Sequence, residues 1–174
     1  MILIICCLLV AIPESLLSLP VVTAKVVYLH DGDTARVDNG LLSDVRIACI
    51  DAPEVPRTKK DTLDPDDIAI AQYKYGRLAQ ARISNLLATT GGEIQVFPIG
   101  GSDRYGRNIA SVRFQNGLDW GEALVTEGLA QVYEQYADAG CNKEKLLKLQ
   151  AIAKTKSLGL WSEPGLAPWE FRKR

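Results

Sequence analysis

Three short segments of the chain concentrate residue types that can do chemistry. They are Asp31-Gly32-Asp33-Thr34, the stretch from Arg46 to Glu54, and Asp103-Arg104-Tyr105-Gly106-Arg107. Carboxylates can supply oxygen ligands to a cation or act as acid–base groups, and arginines pair with anions. Each segment alone is a weak indication, whereas the three together favour a functional site.

Each segment also has an ordinary structural interpretation. Asp and Gly are the commonest turn residues, so Asp31 to Thr34 alone is typical of a plain turn. Arg46 lies on a predicted half-buried strand, where it needs an anionic partner or solvent. The end of that strand, with Asp51 and Glu54, is equally typical of an exposed strand terminus with an ion pair, which contributes little energy. The segment 103–107 is equally typical of a solvated hairpin loop.

Composition bounds the class of protein. The 174 residues, 47% of them apolar, suffice for one domain with a real core and argue against disorder. The chain has 20 Lys plus Arg and 21 Asp plus Glu, so a polybasic nucleic-acid binder is excluded. One His and four Cys argue against a structural zinc site and against a Ser-His-Asp hydrolase.

Hydrophobic patterning predicts five strands and three helices. The predicted strands cover residues 24–29, 34–37, 45–50, 93–98 and 108–114. The predicted helices cover residues 68–87, 119–127 and 142–156, and residues 55–67 form a long solvated loop. This order favours an α+β, mainly β fold, a small closed antiparallel barrel flanked by helices, and does not fit a parallel α/β fold.

The first 24 residues differ from the rest of the chain. Residues Ile2 to Ile12 form an unbroken apolar run, shorter than a membrane span of about 20 residues but suited to a secretory signal. Val22 to Ala24 offer small or aliphatic residues for cleavage, although no Lys or Arg precedes the run. We predict a signal peptide over 1–24 and a secreted or periplasmic domain over 25–174. An uncleaved membrane tether and a misassigned start are the alternatives.

Loss of the leader would leave Cys49 and Cys141 as the two cysteines. A disulfide between them is one option in an oxidising compartment. Because Cys49 falls within the predicted strand 45–50, where a buried free Cys is an ordinary small core residue, we expect a free thiol instead.

In their order along the chain, the three segments resemble the motifs of the staphylococcal nuclease (thermonuclease) family. The resemblance continues in Tyr75-Gly76 with Ala79, in residues 124–130 and in Gly159-Leu160-Trp161, so it covers nearly all of the chain after Thr23. It implies an OB-fold, a five-stranded antiparallel Greek-key barrel with three α-helices. The predicted order of strands and helices agrees with this fold.

The resemblance also implies an activity, the calcium-dependent cleavage of DNA and RNA to 3′-phosphate products. By position, Asp33 and Asp51 match the metal carboxylates, and the backbone carbonyl of Ala52 matches a third oxygen ligand. Hard oxygen donors of this kind suit Ca²⁺. Asp31 would help to hold the ligands in place.

The remaining site residues match groups that act on the phosphate. Glu54 matches the general base that activates the attacking water. Arg46 and Arg107 match two guanidinium groups that grip the phosphate and stabilise its growing charge. Tyr105 matches a tyrosine that touches a phosphate on the product side. We expect a monomer that acts on DNA or RNA without a stable protein partner.

The chain departs from the family pattern in three places. Ala52 replaces a frequent threonine, but the ligand there is a carbonyl, so metal binding should survive. Glu134, flanked by Tyr133 and Tyr136, occupies the position of a second tyrosine, which puts base stacking in question. The loop over residues 55–72 is longer than in the type member, so the substrate range can differ.

The C-terminal segment has two interpretations from sequence alone. The C-terminal residues 169–174 are either a basic contact strip or a solvated tail with docked aromatics, and the tail is favoured.

Two functions other than nuclease activity are alternatives. One is a nuclease-inactive domain that binds single-stranded nucleic acid or a protein tail, and the other is a general OB-fold binder. Inactive domains typically lose site residues, and five are present here: Asp33, Arg46, Asp51, Glu54 and Arg107.

Overall fold

The computed structural model describes residues 20–63, 66–134, 140–163, 165 and 167–174. Five strands form a closed barrel: β1 Val22–Leu29, β2 Thr34–Asp38, β3 Asp44–Ile47, β5 Glu93–Ser102 and β6 Asn108–Phe114. Their order around the barrel is β1-β2-β3-β6-β5, and β5 pairs back to β1. Two short strands, β4 Ile50–Asp51 and β7 Gln131–Val132, form a separate antiparallel pair. The predicted α+β fold with a five-stranded barrel is confirmed.

The barrel is mixed, which corrects the prediction that all its strands are antiparallel. β3 runs parallel to β6, with Val45 opposite Asn108 and Ile47 opposite Ala110. The other four pairs are antiparallel. A parallel pair requires a long crossover connection, and the chain between β3 and β6 provides it. Alternation within a single strand carries no information about this orientation.

The predicted strand 45–50 is broken near its end. β3 ends at Ile47, Cys49 adopts a positive φ of 67°, and the chain then continues as β4. Cys49 forms a disulfide with Cys141, and the two Cα atoms are 6.5 Å apart. The expectation of a free Cys49 thiol is therefore wrong, because this residue lies in a turn between two strands rather than inside one.

Reduction of the Cys49–Cys141 bond should lower the thermal stability. The bond joins residues 92 positions apart, and loss of such a bond typically costs about 2–5 kcal/mol. We expect a lower Tm for the reduced protein and for the Cys49→Ser/Cys141→Ser variant than for the oxidised protein, measured by thermal denaturation. An identical Tm for oxidised and reduced protein would contradict a structural role for this bond.

Five α-helices lie in the described ranges, and three match the predicted ones to within two residues. The three are α2 Asp67–Thr89, α3 Trp120–Thr126 and α4 Lys143–Thr155. Each begins after a side chain that accepts a backbone N–H, namely Asp66, Asp119 and Asn142. The predicted loop 55–67 contains the short helix α1 Lys60–Leu63, and the predicted tail contains α5 Pro168–Phe171.

The core of the barrel is tied directly to the turn between β1 and β2. Trp120, at the start of α3, is fully buried and stacks on Phe114 with ring centroids 5.4 Å apart. Its indole N–H donates to the carbonyl oxygen of Gly32 at 2.8 Å. Because a buried indole needs a hydrogen-bond partner, core packing also fixes the backbone of this turn.

Strand β1 includes residues that the predicted signal peptide would remove. Val22 to Ala24 pair with β5, and Ala24 is buried. Cleavage after Ala24 would therefore shorten β1, whereas cleavage before Val22 would leave it whole. The signal peptide over 1–24 stays a prediction, and residues 1–19 lie outside the described ranges. Among the residues that are described, no helix has the length and apolar character to cross a membrane.

Candidate active site

The turn between β1 and β2 holds two buried carboxylates in place. Asp31 Oδ1 accepts the N–H of Asp33 at 3.0 Å, and the Thr34 hydroxyl donates to Asp33 Oδ1 at 3.1 Å. A Cβ at Gly32 would lie only 2.6 Å from the Ala79 Cβ of α2. The turn therefore packs directly on the helix, and only glycine allows this close approach.

Glu54 is positioned by a second close contact with α2. The backbone after β4 passes against Gly76, where a Cβ would overlap the carbonyl oxygen of Glu54 and lie 2.9 Å from that of Pro53. The N–H of Ala52 donates to Asp33 Oδ2. The helix and the β1–β2 turn thus fix the backbone here, while the Glu54 side chain stays 16% exposed.

Arg46 joins two buried carboxylates that come from different elements. Its Nη1 lies 2.5 Å from Asp33 Oδ1, and its Nη2 lies 2.5 Å from Asp51 Oδ1. Asp51, on β4, is completely buried, and the Arg46 side chain on β3 is 14% exposed. The anionic partner that sequence analysis required for Arg46 is therefore a pair of site carboxylates.

The turn between β5 and β6 adds Arg107 to this cluster. Its Nε donates to Asp103 Oδ2 at 2.7 Å, and its Nη1 donates to Thr34 Oγ1 at 3.2 Å. Because Thr34 donates in turn to Asp33, a single hydroxyl connects Arg107 to the carboxylates. Tyr105 is 67% exposed at the rim, and its ring centroid is 5.2 Å from the Arg107 guanidinium carbon.

Two further arginines of the site were missed by sequence analysis. Arg57 Nη2 lies 3.1 Å from Glu54 Oε2 and 3.3 Å from Asp31 Oδ2. Arg172, which follows α5, places Nη1 2.8 Å from Glu54 Oε1 and Nη2 2.5 Å from Asp51 Oδ2. Neither arginine belongs to the three motifs. The sequence signal that could have suggested them is an excess of carboxylates over cations in those motifs.

The C-terminal segment is docked rather than a free tail. The Trp169 ring packs 5.2 Å from that of Tyr133, and the Phe171 ring packs 5.9 Å from that of Tyr73. The predicted docking of its aromatics is confirmed. The prediction of a solvated tail is wrong for Arg172, since this residue reaches a carboxylate 121 positions earlier in the chain, and such a contact has no local signature.

Burial and crowding set the pKa values of the site. Burial raises the pKa of Asp51 to about 6; the charge of Asp33 adds to the rise, and Arg46 and Arg172 oppose it. Burial, followed by the charge of Asp33, raises the pKa of Asp31 well above its ordinary value. Burial alone would lower the pKa of Arg46, but Asp33 and Asp51 hold it above the usual value. The site therefore favours additional positive charge.

The chemistry of the donors fits calcium. Asp33 and Asp51 lie on either side of one guanidinium and offer only oxygen atoms, which Ca²⁺ prefers over softer ligands. No group of three or more His, Cys, Asp or Glu within the described ranges is arranged to hold a metal ion. The predicted metal site has only two such side chains, Asp33 and Asp51, because its third donor is the backbone carbonyl of Ala52. The metal roles of these residues stay predictions.

Comparison with known proteins defines the class of this chain. Residues 44–163 match the family described as staphylococcal nuclease homologue. A protein of Escherichia coli O157:H7 named "uncharacterized endonuclease" is 33% identical over 153 residues, covering 86% of this chain and 84% of that protein. The SPbeta prophage-derived endonuclease YokF of Bacillus subtilis is 35% identical over 138 residues, covering 78% of this chain and 42% of that protein.

The barrel, the match and these relatives define a nuclease, a hydrolase that acts on nucleic acid. The chain belongs to the staphylococcal nuclease family, as the motifs indicated. The replacement of a second family tyrosine by Glu134 stays a prediction. Tyr133 packs on Trp169, and Tyr136 lies outside the described residues.

Proposed function

We propose that this nuclease is a calcium-dependent phosphodiesterase that hydrolyses DNA and RNA to 3′-phosphate products. The observation that carries the proposal is the convergence of three carboxylates and an arginine in one cluster. Arg46 contacts Asp33 and Asp51 at 2.5 Å each, and Glu54 lies on the same backbone segment as Asp51. Arg107 approaches from the neighbouring turn.

The proposed chemistry assigns the proton transfer to Glu54. Its carboxylate orients a water molecule and takes a proton as the water oxygen attacks phosphorus. The P–O5′ bond then breaks, and the leaving O5′ oxygen takes a proton from solvent water to become the 5′-hydroxyl. Arg46 and Arg107 donate hydrogen bonds to the non-bridging oxygens, on which negative charge increases. These donors are fixed before the reaction, because Arg46 lies on a barrel strand and Arg107 is held by Asp103.

The remaining residues hold the cation and the product. Asp33, Asp51 and the carbonyl of Ala52 would bind calcium, which supplies positive charge beside the phosphate and the attacking water. Asp31 would keep Asp33 oriented through the N–H of Asp33 that it already accepts. Tyr105, exposed beside Arg107, would contact a phosphate on the product side.

Cleavage should require Ca²⁺, and Mg²⁺ should support little of it. Two carboxylates, one carbonyl, waters and a phosphate make a loose oxygen cage, whereas Mg²⁺ demands a tight octahedron. A nuclease gel on DNA and on RNA with calcium, with magnesium and with a chelator tests this. Equal turnover with Mg²⁺, or full activity in chelator, would remove the metal assignment of Asp33 and Asp51.

We also propose that the protein is exported and acts as a monomer in a secreted or periplasmic form. Two observations support export. The apolar run Ile2 to Ile12 suits a secretory signal, and the Cys49–Cys141 disulfide is a bond that forms and persists in oxidising compartments.

Export predicts a mature chain that begins near Lys25. Intact-mass analysis of protein from the native host measures this start directly. A start at Val22 would also support export and would keep β1 whole. A full-length chain confined to the cytoplasm would overturn the proposal.

A further inference from the structure

Both carboxylate oxygens of Asp51 are engaged by arginines. Arg46 Nη2 lies 2.5 Å from Oδ1, and Arg172 Nη2 lies 2.5 Å from Oδ2. The other terminal nitrogen of Arg172 lies 2.8 Å from Glu54 Oε1. The Arg172 guanidinium therefore bridges the predicted metal carboxylate and the predicted general base.

The segment that carries Arg172 is held in place by contacts that do not involve the site. Pro168 at the start of α5 is buried. The other anchors are the ring pairs Trp169–Tyr133 and Phe171–Tyr73. Because these contacts keep Arg172 next to the carboxylates, its pairing is intramolecular and occurs at high effective concentration.

Arg172 and a divalent cation would compete for the same carboxylate. Asp51 has no exposed surface of its own, so its negative charge needs a positive partner. Because each oxygen of the buried Asp51 already contacts a guanidinium, a cation that approaches Asp51 competes with one of the two guanidiniums. The Arg172 side chain is 39% exposed and that of Arg46 is 14% exposed. Arg172 is therefore the group that can turn out into water at lower cost.

We propose that Arg172 is a built-in competitor of calcium at Asp51. When calcium is scarce, its guanidinium pairs with Asp51 and with the Oε1 atom of Glu54, and calcium must displace it before this oxygen of the base is free. The C-terminal segment would thereby set the calcium concentration at which the nuclease becomes active. This inference rests on the calcium-dependent function proposed above. Arg172 lies beyond the family match over residues 44–163.

Competition of this kind weakens the apparent calcium affinity. The apparent Kd equals the intrinsic Kd divided by the fraction of molecules in which Arg172 has left Asp51. Arg172→Gln removes the charge but keeps a polar side chain. We expect this variant to bind calcium about five- to tenfold more tightly than wild type. Arg174→Gln removes the same charge two residues away. Because Arg174 pairs with Asp66 and not with Asp51, the calcium Kd of this variant should match that of wild type.

Isothermal titration calorimetry of the full oxidised chain, with Ca²⁺ as the only ligand, measures these affinities. Thermal denaturation supplies a second readout, because a ligand that binds the folded protein stabilises it and raises its Tm. In chelator, Arg172→Gln should have a lower Tm than wild type, because Asp51 and Glu54 each lose one of their two arginine partners. In saturating calcium this deficit should shrink, whereas any deficit of Arg174→Gln should be equal in both conditions.

The two proposals fail in different ways. Equal calcium affinity in wild type, Arg172→Gln and Arg174→Gln, or weaker affinity in Arg172→Gln, would overturn the role of Arg172 alone. Failure of all three proteins to bind calcium would overturn the calcium function, and this inference with it. If Arg172→Gln does not fold, Arg172→Met replaces it. Methionine keeps a long side chain without the charge, so a Kd below that of wild type supports the proposal and an unchanged Kd refutes it.

Discussion

Glu54→Gln should lower the turnover number by about 10²- to 10⁴-fold. The amide keeps the size of the side chain and can still orient water, but it cannot take the proton. The contacts of Glu54 with Arg57 and Arg172 involve partly exposed arginines, so their loss should affect Tm only slightly. Steady-state kinetics on a defined oligonucleotide at saturating calcium measures the effect.

Glu127→Gln is the matched control for this substitution. Glu127 pairs with Arg82 at 2.7 Å on the surface, away from the carboxylate cluster. Its turnover should equal that of wild type. If Glu54→Gln binds calcium normally and loses less than about tenfold in turnover, Glu54 is not the general base.

Arg46→Lys and Arg107→Lys should each reduce turnover by more than about tenfold, with much smaller changes in substrate affinity. Attack on phosphorus increases the charge on two non-bridging oxygens, which a guanidinium contacts together and an ammonium contacts one at a time. Arg46 also contacts Asp33 and Asp51 with two separate terminal nitrogens, whereas lysine has only one. Separate kcat and KM values on the same oligonucleotide test this.

Arg36→Lys and Arg113→Lys control for the loss of arginine as such. Arg36 pairs with Asp44 on the surface at 3.0 Å, and Arg113 lies 5.0 Å over the Phe97 ring. Both variants should keep near-normal turnover. Near-normal turnover of Arg107→Lys, or equal damage from the two control substitutions, would contradict the assignment of transition-state contacts to Arg46 and Arg107.

The barrel strands and the three main helices were predictable because their signals are local. Alternating apolar residues marked β3, β5 and β6, β-branched and apolar residues marked β1 and β2, and the capping residue Asn142 marked the start of α4. Much of the candidate site was also accessible from sequence. Asp33, Arg46 and Asp51 were singled out by motif, and the fold places them within ion-pair distance of one another.

The features that sequence analysis missed depend on contacts between distant parts of the chain. The parallel pairing of β3 with β6 is set by barrel closure, and no pattern within either strand encodes it. The Cys49–Cys141 bond required a turn inside an apparently continuous strand. Arg172 reaches Asp51 only because α5 docks beside α2 through its aromatic residues. Each of these contacts follows from tertiary packing.

Gly76 places helix stability and catalytic alignment in opposition. A glycine inside a helix costs about 1 kcal/mol relative to alanine, so a search for stabilising substitutions would select this position in α2. A methyl group there would overlap the backbone oxygen of Glu54, and the helix would have to move away from the segment that carries this carboxylate. The alignment of Glu54 therefore depends on a poor helix former at Gly76, and thermostabilising designs of this nuclease should leave it unchanged.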